Sequence, residues 1–381
     1  MLGAMNQRPT RVALDDWAVI RQFLPTGWQR QARRLGALRR VRQIRGPTLL
    51  LRALLVHLAG GYSLVETATR LREAGCCRIS SVSLFQRLQA AEQWLRWLAE
   101  HLWAASLPRT TPPGVRVRAV DGTLVQEQGP TGSTWRVLFS INLANLQCDY
   151  FSVTDRHVGE TFRRLPVTPG DVVLGDRAYG TPPGVRHVVS HGGDVLVRLN
   201  LQRLPLFTPG GRRISILAKL RQLRRHQPRE WAAHVQGTDG LIPGRLVAIR
   251  RGRQATARAR RRLQRKARKE QHTLSRAALE ATRYVFVWTS LPATRYDTAA
   301  VLELYRRRWS IEIAFKRLKS LLGLGQLPKR CDASARAWLH GKLFVALLIE
   351  RLIAAAESLS PWGYALAGGP QPLAGDTLRP A

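Results

Sequence analysis

Residues 304–322 read LYRRRWSIEIAFKRLKSLL, and the rest of the chain is organised around them. Ile311, Phe315, Leu318 and Leu322 recur at helical spacing, so the stretch is predicted to be one helix with an apolar anchoring stripe. At about 100° per residue, Tyr305, Arg308, Glu312, Lys316 and Lys319 fall within roughly 80° of one another beside that stripe. One carboxylate therefore sits in a row of cations and a phenol. Pairs such as Arg308 with Glu312 and Glu312 with Lys316, each worth about 0.2–0.5 kcal/mol, are the ordinary reading of such a face. They do not explain the excess of cations, which repel one another unless a polyanion lies on them. Nor do they explain Trp309, set mid-helix near the polar side.

Composition points to the polyanion. The 381 residues carry 61 Lys plus Arg against 25 Asp plus Glu, a formal charge of +36, and the pI is about 11.7. That balance lies outside the range of an ordinary cytosolic enzyme and predicts a nucleic acid partner, because neutralising phosphates releases counterions. The length allows two or three domains, and 45% hydrophobic content is enough for real cores. The first twenty residues lack the basic segment and apolar run of a secretory signal. The most apolar stretch, 343–356, is interrupted by Glu350 and Arg351 and is too short to span a bilayer. Cys76, Cys77, Cys148 and Cys331 have no metal-ligand spacing, which fits a reducing compartment. A cytoplasmic, nucleoid-associated protein with no membrane partner is expected.

In chain order, 1–107 is predicted to be a helical, DNA-binding domain. Helical patterns run through TLLLRALLVHLA, SLVETATRLREAG and SSVSLFQRLQAAEQWLRWLAEHL. Ser63 with Glu66 forms a capping box, Gly75 a stop, and Ser81 or Ser83 the next N-cap. The two helices joined by GCCRIS resemble a helix-turn-helix, with Phe85, Arg87 and Gln89 on the second. A Pro-rich linker, PRTTPPG at 108–114, closes the domain. The period then changes. VRVRAVDGT, TWRVLFSINLAN and CDYFSVTD read as strands, DVVLGDRAYG and DVLVRLNL as two more with a crossover helix between. The prediction is α/β, a mixed sheet with helices on its faces, in two parts, 115–203 and 282–358. They are separated by an insertion, 204–281, with Gly-rich turns, the strands EWAAHVQG and GRLVAIRR, and the run RGRQATARARRRLQRKARKEQ. That run is either a solvated basic helix or a disordered arm, and contact with phosphate is the favoured role. The apolar helix near 335–358 is expected to close the core, and 359–381 to be a mobile tail.

Asp121 and Asp176 each stand where a strand ends. Either alone reads as a turn or cap residue. Together with Glu312 they form a different pattern, since neighbouring strand ends and a packed helix face can converge. Three converging carboxylates repel one another unless hard divalent cations sit between them, and that arrangement serves two-metal phosphoryl transfer.

With these residues in place, the sequence resembles bacterial insertion-sequence transposases of the DDE type, in the insertion-sequence-four group. The resemblance rests on the Tyr305, Arg308, Glu312 and Lys319 spacing, on Asp121 in VDGT, on Asp176 in GDRAYG, and on the long insertion between Asp176 and Glu312. It covers about 45–355. It implies a ribonuclease-H-like core with a largely β insertion, and Asp121, Asp176 and Glu312 as catalytic residues holding two Mg²⁺ or Mn²⁺ ions. It implies Arg308 and Lys319 on DNA phosphates, Tyr305 bonding or stacking nearby, and Trp288 holding a flipped base if a hairpin route is used; Lys316, on the same helix face, is expected on phosphate from its position alone. The implied activity is cut-and-paste transposition: a synaptic homodimer on inverted-repeat ends, cleavage, and joining of 3′-ends to target DNA. Two alternatives remain open on sequence: a structure-specific nuclease on the same fold, and a decayed or regulatory DNA-binding protein.

Overall fold

The computed structural model describes residues 16–104, 115–127, 133–225, 227–321, 323–324, 326–328 and 331–359. The chain divides into two compact units, Met1–Leu102 with His340–Ala381, and Trp103–Leu339. The expected linker at 108–114 and the tail from 360 onward lie outside the described residues; Leu359 itself ends the last helix.

The first unit is helical, with α1 (Trp17–Gln22), α2 (Trp28–Arg34), α3 (Pro47–Gly60), α4 (Leu64–Glu73), α5 (Ser81–Ala90) and the start of α6 (Glu92–Ala104). Pro47 opens α3 and Gly61, at φ +69°, closes it in the left-handed conformation. Ser63 caps α4 by accepting from the Glu66 N–H, but the Glu66 carboxylate turns to Arg70, so the capping box is half made. The cap of α5 is Ser80, one residue before the predicted position, and Ala91 interrupts what reads as a single helix. Trp28 stacks on Trp94 at 6.1 Å, and Trp94 donates to the Trp28 carbonyl.

The second unit is built on one large mixed sheet. Its strands are β1 (Arg116–Glu127), β2 (Ser133–Asn142), β3 (Cys148–Asp155), β4 (Asp171–Gly175) and, after α7 (Pro182–Ser190), β5 (Asp194–Arg198). There follow α8 (Ile216–Arg221), β6 (Arg229–Ala232), β7 (Val235–Gln236), β8 (Leu241–Ile242), β9 (Arg245–Arg250), α9 (Arg253–Lys269), α10 (Arg276–Ala281) and β10 (Tyr284–Thr289). Next come α11 (Thr298–Arg307), α12 (Trp309–Leu321), β11 (Gln326–Leu327) and α13 (Asp332–Leu359), which belongs to this unit only as far as Leu339. Strand order is β3-β2-β1-β4-β5-β10-β9-β6, with β11 beside β1 and a separate β7-β8 ribbon. β1, β4 and β5 are parallel; β2, β3, β10, β9 and β6 pair antiparallel with their neighbours.

A buried ionic network sets the register of the central strands. Arg118, 1% exposed, donates to both Asp149 oxygens at 2.8 and 3.0 Å and to Asp171 at 3.1 Å, while Arg116 grips Asp171 at 2.6 and 2.7 Å. Removing one member would leave an uncompensated buried charge, at a cost of about 3–5 kcal/mol. The arginines of VRVRAV thus tie β1 to β3 and β4.

Five sequence expectations are corrected here. The 304–322 stretch is two helices: at Arg308 the bonds run from Arg308 N to the Tyr305 carbonyl and from Ile311 N to the Arg308 carbonyl, each 3.2 Å, a tighter three-residue spacing. The insertion is not largely β, since α8, α9 and α10 outweigh its short strands; its Arg, Ala, Gln and Lys favour helix. Nor is it separate from the core sheet, which β9 and β6 extend.

The terminal helix, expected to close the sheet's core, is divided between the units at Leu339 and His340. Its later part packs in the helical unit, where Lys342 donates to the Leu58 carbonyl at 2.5 Å and His340 meets Glu92 at 2.9 Å.

Trp288, finally, is fully buried on β10 and donates to the Ala233 carbonyl at 2.7 Å. Gly244 lies so close to its ring that a side chain there would clash. It is a core residue with no free ring face for a base. Trp288→Ala should cost about 3–5 kcal/mol by urea unfolding.

Candidate active site

The parallel pairing of β1 with β4 brings the two aspartates side by side. Ala119 pairs with Leu174; Asp121 lies two residues further along β1, in mid-strand and not at the strand end expected from VDGT, because β1 continues through Glu127, and Asp176 stands just past the end of β4. Asp121 Oδ1 accepts the Gly122 N–H at 2.8 Å, and Asp176 Oδ1 accepts the Ala178 N–H at 2.7 Å, an Asx turn that aims the side chain off the strand end. Burial, reinforced by Asp176 and Glu160, lifts Asp121 to a pKa of about 7 against the pull of the Gly122 N–H and Arg308.

Glu312 reaches this pair through an arginine. Arg308 Nη2 donates to Glu312 Oε1 at 2.6 Å, and Nη1 stands 3.8 Å from Asp121 Oδ2. Only 11% of the Arg308 side chain is exposed. Burial pulls its pKa down, but Tyr305, Glu312 and Asp121 outweigh that and leave it above the ordinary value. The Tyr305 ring lies under the guanidinium at 5.7 Å, and its buried hydroxyl has no hydrogen-bond partner among the described residues. Lys316 and Lys319 are exposed on α12, as is Trp309; Ile311 is buried, while the Phe315 and Leu318 side chains and Leu322 lie outside the described set.

Asp121 and Asp176 are therefore together, and Glu312 is linked to Asp121 across Arg308. Among the described residues no three acids or other ligating side chains stand within reach of a single ion. The donor chemistry still fits hard divalent cations: the acids present only carboxylate oxygens, and burial beside Asp176 makes the ionised form of Asp121 costly even with Arg308 nearby. Arg308 is the cation already in the gap.

Sequence reasoning missed several residues. Glu160, between β3 and β4, packs against Gly122, and Tyr179, in the GDRAYG stretch, is fully buried beneath the acids. A cleft of about 1190 Å³ opens beside Asp176, walled by Tyr305, Arg308 and Glu312 on one side and by Arg177, Arg198, Arg251, Arg258, Arg262 and Lys266 elsewhere. Burial and neighbouring arginines depress both Arg177 and Arg251 to pKa values of about 10, and the Arg177 and Arg198 Nε atoms are buried without acceptors. Crowded guanidiniums that outnumber the carboxylates beside them are what phosphate groups satisfy. The only sequence signal was the Arg run that becomes α9.

The raised Asp121 pKa has a pH consequence in metal-free protein. The native carboxyl keeps a proton that the unfolded chain, with a pKa of about 4, has released. Native stability is thus favoured at low pH and lost as pH rises from there towards about 7. The melting temperature of metal-free protein should fall across this window more steeply than that of Asp121→Asn.

Comparison with known proteins gives the family of the chain. Residues 113–348 match the family model described as the transposase DDE domain. The putative transposase InsL of insertion sequence element IS186A from Escherichia coli strain K12 is 31% identical over 356 residues, covering 91% of this chain and 96% of that protein. The transposase of insertion sequence element IS421 from Escherichia coli is 30% identical over 357 residues, with the same coverage. An aspartate on β1 beside one at the end of the adjacent parallel β4, a helix-borne glutamate, a basic cleft and, above all, the family match and two near full-length relatives lead to one assignment: this chain belongs to the family of DDE-domain transposases.

Proposed function

We propose that the chain is the transposase of an insertion sequence, cutting the element's ends and joining its 3′-hydroxyls to target DNA on a ribonuclease-H-like core. The observation that carries this is the juxtaposition of Asp121 and Asp176 on β1 and β4, with Glu312 one arginine away. The order β3-β2-β1-β4-β5, antiparallel then parallel, supports the ribonuclease-H-like reading. Named function in the two relatives supports insertion-sequence DNA as the substrate.

In this reading Asp121, Asp176 and Glu312 hold two Mg²⁺ or Mn²⁺ ions. Bound there, the ions supply an activated attacking oxygen and stabilise the leaving one in an in-line displacement. The chain's own residues do the positioning. Arg308, released from Glu312, grips a phosphate oxygen beside the cut with its planar fork. Tyr305 offers its unpartnered hydroxyl to the same strand, and Lys316 and Lys319 lie further along α12 for flanking phosphates. The cleft arginines take the strand beyond Asp176. In the helical unit, α4 and α5 contribute a helix-turn-helix surface for the inverted repeat. A synaptic dimer brings two ends together.

Arg258 and Arg262 on α9 line the cleft. Changing both to Gln should flatten the slope of log K against log salt by about 2, at about 0.9 per lost duplex phosphate contact, measured by fluorescence anisotropy on an end duplex.

The function is tested by incubating protein with labelled element ends, Mg²⁺ and a supercoiled plasmid. Joined product is expected. Cutting without joining would indicate a nuclease, and a mobility shift without cutting a DNA-binding regulator.

A further inference from the structure

A second dense block of positive charge lies in the helical unit. Between Asp16 and Glu66 the sequence carries nine arginines, no lysine and no acid. Seven of them, Arg30, Arg33, Arg34, Arg39, Arg40, Arg42 and Arg45, fall within sixteen residues, and all seven are exposed.

A run of like charges is ordinarily a disordered arm, but this one is folded. It begins on α2 and continues through the turn that leads to α3. Gly27 and Gly36, at φ +78° and +76°, bend the chain on either side of α2. Trp28, Ala32, Ala37, Leu38 and Ile44 are buried between the arginines, and the Leu38 N–H donates to the Ala32 carbonyl at 3.2 Å. Arg87 of α5 donates to the Arg40 carbonyl at 2.6 Å. That bond pins the middle of the basic strap to α5, and it occupies a side chain that the sequence offered as a base reader.

The acids of the unit are engaged elsewhere. Glu66 pairs with Arg70 at 3.0 Å, Glu100 with Arg96 at 2.7 Å, and Glu92 stands 2.9 Å from His340. Among the described residues, none of the seven strap arginines has an ion pair. Folding thus holds these charges close together where the unfolded chain would let them spread, and the repulsion works against the compact state. A chain of regularly spaced phosphates removes that repulsion and releases its own counterions.

We propose that 30–45 is a phosphate clamp. Its exposed arginines take the backbone of duplex DNA beside the site read by α5, and Arg87 is a positioning residue that joins the clamp to α5. This rests on the reading of the helical unit as DNA-binding and deepens it: the strap supplies affinity that does not depend on sequence, and α5 supplies the preference for the inverted repeat.

The test is fluorescence anisotropy of full-length protein over a range of salt, on an end duplex and on a duplex of scrambled sequence, with melting temperatures of the DNA-free protein alongside. Changing Arg34, Arg42 and Arg45 together to Gln should flatten the slope of log K against log salt by about 2–3, at about 0.9 per phosphate contact, and weaken both duplexes by the same factor. The melting temperature of that variant at low salt should hold or rise, because like charges are removed. Arg87→Gln should lower the melting temperature and keep the preference for the end duplex. An unchanged slope in the triple variant overturns the clamp, and joining activity retained by wild type then leaves the proposed function standing. A loss confined to the end duplex makes these arginines base readers, and a lowered melting temperature makes them structural; either overturns the proposal. Lost end preference in Arg87→Gln overturns its positioning role. Wild type that binds neither duplex overturns the DNA reading itself.

Discussion

Asp121→Asn should lower cleavage of element ends by about a thousandfold or more, the loss of about 4 kcal/mol of transition-state stabilisation, while end binding in a mobility-shift assay stays within about twofold. The variant should also melt higher than wild type at neutral pH without metal. These outcomes have one cause. Asp121 is buried beside Asp176 and Glu160, so its ionised form is costly and its pKa sits near 7. Asn keeps the shape, keeps an oxygen for the Gly122 N–H, and never carries the charge. What stabilises the empty fold therefore removes the charge that the bound cation needs. A residue with a purely structural role would lose stability and activity together, so the opposed signs separate the two readings. Residual cleavage within tenfold of wild type would remove Asp121 from the chemistry.

The second large effect is at Arg308. Arg308→Ala should reduce strand cleavage by about a hundredfold, the loss of a charge-assisted, bidentate phosphate contact of about 2–3 kcal/mol. The same change should strengthen Mn²⁺ binding in the absence of DNA. Arg308 lies 2.6 Å from Glu312 and 3.8 Å from Asp121; under the proposed function it would compete with a divalent cation for both carboxylates, and its removal would free them. Arg308→Lys keeps the charge and loses the fork, so it should retain weak metal binding and still cut poorly. Unchanged cleavage in Arg308→Ala, measured in single-turnover conditions, would mean that the arginine only pins α12 to β1.

The sheet and its acids were legible because their signals are local. VRVRAVDGT and DVVLGDRAYG mark strands by branched residues; the acid with a turn marks the end of β4 at Asp176, whereas β1 runs on past Asp121 to Glu127. β1 and β4 then lie together in parallel register. The helix signature gave Arg308 and Glu312 as neighbours, which they are, although the turn at Arg308 divides the helix there.

What escaped the sequence depends on tertiary contact. Nothing in HVGET marks Glu160; its place follows from a loop anchored by Arg136 and from the bare backbone of Gly122. Trp288 was assigned to a base by proximity to the acids in the chain, whereas its strand faces inward and its indole N–H belongs to Ala233. The Arg177, Arg198 and Arg251 cluster comes from three separate strand ends, so no run of sequence announces it.

The central claim is that Asp121, Asp176 and Glu312 share bound metal once DNA draws Arg308 away. Its most direct test is the anomalous scattering of Mn²⁺ in crystals of the protein with a cleaved end duplex. The account predicts manganese density bonded to carboxylate oxygens of all three residues, with Arg308 turned onto a phosphate. Manganese bound away from these carboxylates, or Glu312 still paired with Arg308 beside an occupied Asp121–Asp176 site, would contradict it.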